Sequence, residues 1–370
     1  MSQRIPETPE DVTPEWLTAV LTEAGVLRAG RVIAGPWERV GVEYGFTGLV
    51  GRVELRYQDE WGTPPSSLVV KLPMAKCDTV SGHRAVQERD SALMRRYYER
   101  CVRELRFYRE IGVSFAPRMY YSAADEAQQR VVLLLEDLSD GRQGDVLEGC
   151  SIEDARLVID QLAPFHARWW GDRAPVSGFA VAGRDPTERQ ERYIGQHDLF
   201  VERYGDRLPP GIADVLEGLR SRLANVASAL HARQKTLIHA DLHLDNMLFD
   251  ARGDGRSVTV LDWQTVSIGS PAWDVALFLF GSLSVEDRHT AESELFDRYI
   301  GLLAAHGVRG YASEDLRLEC GLAVLLVLAG TVGWLATVDR DATGRERALQ
   351  DAVLGDGRLL TAVLDHASSV

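Results

Sequence analysis

Residues 237–250 read LIHADLHLDNMLFD. Two histidines and three aspartates stand here among Leu, Ile, Met and Phe. The apolar flanks say that the segment enters a core. A carboxylate does not enter a core without a partner, because an unpaired buried charge is costly or shifts its pKa until it is neutral. The stretch is therefore either a strand end that turns sharply to solvent or a built site.

His239, Asp241 and Asn246 have the spacing H-x-D-x-x-x-x-N, and sixteen residues after Asn246 an apolar strand ends in VLDWQ, which supplies Asp262. Phosphoryl transfer from a nucleotide needs little covalent help. It needs a carboxylate to orient and deprotonate the attacking hydroxyl, and oxygen ligands for magnesium ions that bridge the phosphates. Magnesium takes carboxylates, amide oxygen and water. Asp241 is the candidate base, and Asn246 and Asp262 are the candidate metal ligands, on a loop between strands.

That chemistry asks for three further pieces upstream. A basic residue should hold the phosphates, and Lys71 is a lone charge in the apolar strand SLVVKLP. A helix carboxylate should hold that lysine, and Glu104 lies beside the apolar positions Val102, Leu105 and Tyr108. A glycine-rich turn should cover the phosphates, and GVEYGFTGLVGRVEL carries Gly45, Gly48 and Gly51 between two strands. Alternative readings stand beside these. Lys71 could be an edge-strand charge that blunts pairing. Glu104 could be an exposed charge pairing with Arg100 four residues back.

The chain has 370 residues, 45% hydrophobic and 26% charged, the profile of a soluble globular protein of two lobes or domains. A net charge of -14 argues against a nucleic-acid partner. The four cysteines, Cys77, Cys101, Cys150 and Cys320, form no C-x-x-C pair, which fits a reducing cytoplasm. The N-terminus shows no apolar secretory region. The charge-free run that starts at Cys320 is nearly long enough to span a bilayer, and its glycines and missing basic flanks favour a buried helix over a membrane span.

Along the chain, Thr13-Pro14 opens a short helix that Gly25 stops. Strands follow in RVIAGPWERV, GLVGRVELRY and SLVVKLP, then a charged helix from about Gln87 to Ile111, then strands at RMYYS and RVVLLLEDL. After Gly141 the pattern turns helical, and only the quoted loop and a short hairpin interrupt it. The expected fold is α+β and bilobal: an N-terminal lobe over residues 1–138, a small antiparallel sheet with one helix, and a larger, mostly helical C-terminal lobe over 139–370.

The segments VVKLP, ELRFYRE, VLLLEDL, HADLHLDNMLF, LDWQ and SPAWDVALFL together resemble the aminoglycoside phosphotransferase and choline kinase group of the protein-kinase-like fold. The resemblance is greatest to the ecdysteroid kinase-like branch and its bacterial relatives. It implies that Lys71 and Glu104 form an ion pair and that Glu136, Asp137 and Leu138 are a hinge binding adenine through the backbone. It also implies that Asp274 braces the catalytic loop. ATP is the implied donor, with GTP open, Mg2+ the implied metal, and a small hydroxylated molecule the acceptor. Two features depart from the group: the glycine turn is not G-x-G-x-x-G, and Gln264 stands where many relatives carry an acid.

Other residues have plainer readings. His239 reads as a buried histidine that hydrogen-bonds the loop and orients Asp241. His243 and Asp245 could face the site or solvent. His166, Trp169 and Trp170 read as core. The insert 151–233 shows no cluster of carboxylates for a polycationic acceptor. Its Trp169, Trp170, Phe179, Tyr193, Phe200 and Tyr204 tilt the expectation toward a bulky, partly apolar one. Two other functions remain open: a metal-dependent hydrolase built on His239, Asp241 and His243, and a non-catalytic nucleotide-binding module. Oligomeric state is not legible.

Overall fold

The structure is a computed structural model, and it describes residues 4–40, 48–59, 63–73, 91–171, 178–180, 183, 185–253, 255–339, 341–355 and 357–367. They form two compact units: Met1–Gly141 with Thr259–Gln264, and Arg142–Val258 with Thr265–Val370.

In the first unit Thr13 caps helix α1 (Pro14–Glu23) by accepting the Trp16 N–H, and Gly25, at φ +68°, ends it. The sheet holds β1 (Arg31–Arg39), β2 (Gly48–Gln58), β3 (Ser67–Pro73), β4 (Met119–Asp125) and β5 (Arg130–Glu136). The strand order is β1-β2-β3-β5-β4, and every neighbouring pair is antiparallel. Helix α2 (Ser91–Arg106) lies in the chain between β3 and β4. The charged helix expected as far as Ile111 instead widens into a π turn at Phe107–Ile111, and Gly112 at φ +48° stops it. Its expected first residues, 87–90, lie outside the described residues.

Alternation along β3 decides where its charge points. Leu68, Val70 and Leu72 pack with Leu17, Val20 and Leu21 of α1 and with Val132 and Leu134 of β5. Val69 faces the opposite way, into a cluster of Leu105 from α2 with Val131, Leu133 and Leu135 from β5. Lys71 stands two residues after Val69 and pairs with Leu133, so the period of two turns it toward α2. β5 is buried on both faces because it serves both clusters.

The glycines expected in one turn have separate fates. Gly45 lies outside the described residues. Gly48 is the first residue of β2, opposite Pro73, and Gly51 lies inside β2, opposite Val70. A Cβ on Gly51 would fall 1.9 Å from the Trp37 ring, so this glycine makes room for an indole.

The second unit is mainly helical. It contains β6 (Arg142–Gln143), α3 (Ile152–Arg168), α4 (Pro186–Tyr204), α5 (Ile212–His231), β7 (Thr236–Ile238) and β8 (Met247–Phe249). β9 (Val258–Val260) carries the chain out of this unit, and β10 (Ser267–Gly269) lies after its return. Then come α6 (Pro271–Ser282), α7 (Val285–Ala305), α8 (Ser313–Thr337), α9 (Gly344–Gly355) and α10 (Arg358–Ala367). β6 pairs with β8 and β7 with β10, both antiparallel.

Among the described residues α8 is the one helix long and apolar enough to cross a membrane. It packs against α4, α5, α6 and α10 of its own unit, which bury 72% of its most apolar window. It is the interior helix of the unit. Trp169, Phe179, Tyr193, Phe200 and Tyr204 are also buried. Tyr193, Phe200 and Tyr204 lie on α4 and Trp169 at the end of α3, and as buried side chains these residues read as core.

Replacing Gly51 with Ala should overpack the Trp37 contact and cost about 1–3 kcal/mol. Urea unfolding of the variant beside wild type checks this, and adding Trp37→Leu should recover part of the loss.

Candidate active site

The Lys71 ammonium donates to both oxygens of Glu104, at 2.7 and 3.0 Å, and to Oδ1 of Asp262 at 2.8 Å. Glu104 comes 33 residues and Asp262 191 residues later in the chain. The three side chains are 18%, 4% and 10% exposed, so water screens them little. Burial pulls the Lys71 ammonium down, and the charges of Asp262 and Glu104 overcome it and hold the group well above its ordinary range. It is a fixed cation in the first unit.

Asp262 reaches that lysine because the segment 259–264 is part of the first unit's core. The Trp263 ring stacks on Phe107 of the π turn, with centroids 3.9 Å apart and planes 7° from parallel, and meets Phe115 edge-on. The Trp263 indole donates to the Val260 carbonyl, the Val260 N–H donates to the Phe115 carbonyl, and Arg103 of α2 donates to the Gln264 carbonyl. The π turn thus presents an aromatic face to the segment one turn beyond Glu104. Asp262 has φ +59°, an uncommon conformation that Asp tolerates better than most residues. Gln264 donates to its second oxygen, Oδ2, at 2.8 Å.

In the second unit the loop between β7 and β8 carries His239, Asp241 and Asn246, and its backbone is held by side chains. Asp274 lies in the first turn of α6, where the helix dipole favours a carboxylate. Its Oδ2 accepts the His239 N–H at 2.7 Å and its Oδ1 the Ala240 N–H at 2.9 Å. Thr265 donates to the His239 carbonyl, and the Trp273 indole donates to the Ala240 carbonyl. Ala240 sits at φ +68°, where its methyl crowds the backbone and no polar side chain eases it, a conformation that costs about 1–2 kcal/mol. Asp274 and Trp273 hold both of its backbone groups there.

His239 is fully buried, and its Nδ1 accepts the Asp241 N–H at 3.2 Å. The Asp241 carboxylate is 43% exposed, with His243 Nε2 3.7 Å from its Oδ1. Asn246 donates through its amide nitrogen to the Asp241 carbonyl at 3.0 Å and to His243. The nitrogen, not the oxygen, therefore holds the loop together.

The remaining expected residues take defined places. Glu136 ends β5, and its carboxylate accepts the Arg118 N–H. The Asp137 carboxylate accepts from Arg52 at 2.6 Å and from the Ser139 N–H at 3.1 Å. Burial pushes its carboxyl up, and hydrogen bonds from Ser67, Arg52 and Ser139 outweigh that and leave it below the usual range. Leu138 is buried. His166 is buried between Tyr299, at 2.7 Å, and Asp274, at 3.4 Å. Asp245 points to neither solvent nor an open site, because it binds Arg345 and the Val146 N–H. No group of three or more His, Cys, Asp or Glu suited to a metal occurs among the described residues, and His239 is spent on the loop backbone. The tie from His239 to the loop backbone counts against its place in the hydrolase centre. Trp263, Phe107, Thr265 and Trp273 are site residues that sequence reasoning missed, because their contacts join distant parts of the chain.

Lys71→Met should leave Glu104 and Asp262 buried without their cation and cost about 3–5 kcal/mol at neutral pH. Adding Glu104→Gln should cost less than the two single changes summed, because one stranded charge is removed. A double-mutant cycle in urea measures the difference.

Among solved structures the chain is similar to a candidate aminoglycoside phosphotransferase from Ralstonia eutropha. The identity is 17%, the match covers 94% of this chain and 98% of that one, and the TM-score is 0.52. That likeness shows a kinase-like α+β fold. The choline kinase LicA from Streptococcus pneumoniae matches at 15% identity over 90% of this chain and 94% of that one, with a TM-score of 0.47. An aminoglycoside phosphotransferase from Streptomyces rimosus, in complex with ADP and streptomycin, matches at 18% identity over 78% of this chain and 92% of that one, with a TM-score of 0.41. No curated protein matches the sequence. The phosphotransferase enzyme family matches residues 56–316, well over half of the chain and both groups of site residues. By that match, the chain belongs to the phosphotransferase enzyme family.

Proposed function

We propose that the chain is a magnesium-dependent phosphotransferase that moves the γ-phosphate of ATP to a hydroxyl of a small molecule. The observation that carries this reading is the Lys71 ammonium held by Glu104 and Asp262. A buried cation with two carboxylate partners is ready to exchange one of them for phosphate oxygens. Gly45 and Gly48 would cover the phosphates, and Glu136, Asp137 and Leu138 would receive adenine through their backbone. The Asp137 carboxylate is already committed to Arg52, which leaves that task to main-chain groups.

Asp241 takes the proton of the acceptor hydroxyl as its oxygen attacks the γ-phosphorus, and the bond to the departing ADP breaks with its electron pair. His239 orients this base through the Asp241 N–H. The oxygens of Asn246 and Asp262 are the hard donors that suit magnesium, whose charge, when bound, offsets that of the phosphates. Residues 1–138 would then serve the nucleotide, and residues 139–370 the catalytic loop and the acceptor. Within the family we place the chain nearest the ecdysteroid kinase-like branch, on the DWQ of residues 262–264. A bulky, partly apolar acceptor rests on Trp170 alone, half-buried against Tyr311, because the other aromatic residues are core. Use of ATP and the free Cys101, Cys150 and Cys320 fit a cytoplasmic enzyme.

Thermal unfolding with Mg-ATP and with Mg-GTP tests the reading. The expected result is a magnesium-dependent rise with ATP, because a ligand that binds the native state raises Tm. Asp262→Asn should lose the rise. Asp241→Ala should keep it and abolish ADP release with acceptor. No rise with either nucleotide, or an active Asp241→Ala, would overturn the reading.

A further inference from the structure

Asp245 directly precedes Asn246, and its side chain is 10% exposed. Its Oδ1 accepts the Val146 N–H at 2.9 Å and Nη2 of Arg345, near the start of α9, at 2.8 Å. The same guanidinium grips both oxygens of Asp145, at 2.9 and 3.0 Å. The Arg345 hydrogen bond is the main reason why the Asp145 carboxyl lies below its usual range, against burial. A planar guanidinium can hold two carboxylates in fixed directions, which an ammonium cannot.

The segment that carries Asp145 lies directly on the catalytic loop. Gln143 donates to the carbonyls of Asp245 and Met247, at 2.8 and 3.2 Å, and the Gly144 N–H donates to the Met247 carbonyl at 3.0 Å. A Cβ on Gly144 would stand 2.4 Å from the Leu244 carbonyl oxygen, so only glycine lets the two strands of chain approach so closely. From the other side Arg358, first residue of α10, donates to the carbonyls of Val146 and Leu147, at 2.8 and 3.1 Å. Two arginines from the last two helices thus clamp a strap onto the loop. Both lie beyond residue 316, where the family match ends.

We propose that Arg345 is a positioning residue for the catalytic loop: by tying Asp245 to Asp145 it fixes the direction of the neighbouring Asn246 amide. The Asn246 amide nitrogen is bound to the Asp241 carbonyl, so a shift at Asp245 is passed to both proposed site residues. The consequence for metal rests on the phosphotransferase reading, whereas the loop-positioning claim stands on its own.

Hydrogen–deuterium exchange of the full chain without ligand tests the positioning, in wild type, Arg345→Gln, Arg345→Lys, Asp245→Asn and the double variant with Arg345→Gln. Arg345→Gln should speed exchange in peptides covering 239–249 by about tenfold and leave α8 unchanged. Arg345→Lys should recover only part. The double variant should exchange no faster than Arg345→Gln alone, because both changes cut the same tie. Wild-type exchange in the loop of Arg345→Gln, or equal acceleration of the loop and α8, would overturn the proposal. For the metal, thermal shifts at saturating ATP should show Arg345→Gln needing about tenfold more magnesium for the half-maximal rise. An unchanged requirement beside a loosened loop removes the link to Asn246. A wild type with no Mg-ATP response removes the phosphotransferase reading and leaves the exchange result to decide the loop.

Discussion

A lysine that has left water needs anions, and the first unit is organised around supplying them to Lys71. Strand alternation turns its side chain toward α2, Glu104 comes from that helix, and Asp262 comes from a segment almost two hundred residues further on. The aromatic packing of Trp263 on Phe107 and Phe115, with the hydrogen bonds from Val260 to Phe115 and from Arg103 to Gln264, holds Asp262 beside the ammonium. The cation is the electrostatic centre, and the indole stack is the mechanical support that makes the centre possible.

The loop between β7 and β8 is built on a different principle. It keeps little regular structure, yet the main-chain groups of His239 and Ala240 are taken up by Asp274, Thr265 and Trp273. Such side-chain capping lets the chain leave a strand without stranding polar groups. It also holds Ala240 in a conformation that an unsupported alanine would leave. Rigid support of this kind keeps Asp241 half-exposed in a fixed direction, which the base role proposed for it would require.

Much of this was legible in the sequence, for local reasons. SLVVKLP is a nearly continuous apolar run, so the one charge within it is visible at once. H-x-D-x-x-x-x-N with DW is a short-range pattern, and Thr13-Pro14 and Gly25 are helix signals. What stayed hidden depends on distant partners. Gly51 looks like a turn residue until Trp37 is placed over it. The aromatic residues of the helical insert look available until their burial is known. Asp245 reads equally well as solvated, because Arg345 lies a hundred residues downstream. The π turn that follows α2 leaves no mark in the apolar spacing, and its partner Trp263 lies far downstream in the chain.

The return of residues 259–264 to the first unit bears on how the protein is made. A ribosome delivers the chain from the N-terminus, and domains tend to fold as they emerge. Here the sheet, α1 and α2 are complete in sequence by residue 141, but the aromatic keystone and one of the lysine's two counterions are still unsynthesised. The nascent first unit therefore waits with Phe107 uncovered and Lys71 half-paired while more than a hundred further residues are added. Its final closure coincides with the emergence of the DW segment, so that the early part of the chain matures while about half of the second unit, helices α6 to α10 included, has still to be made.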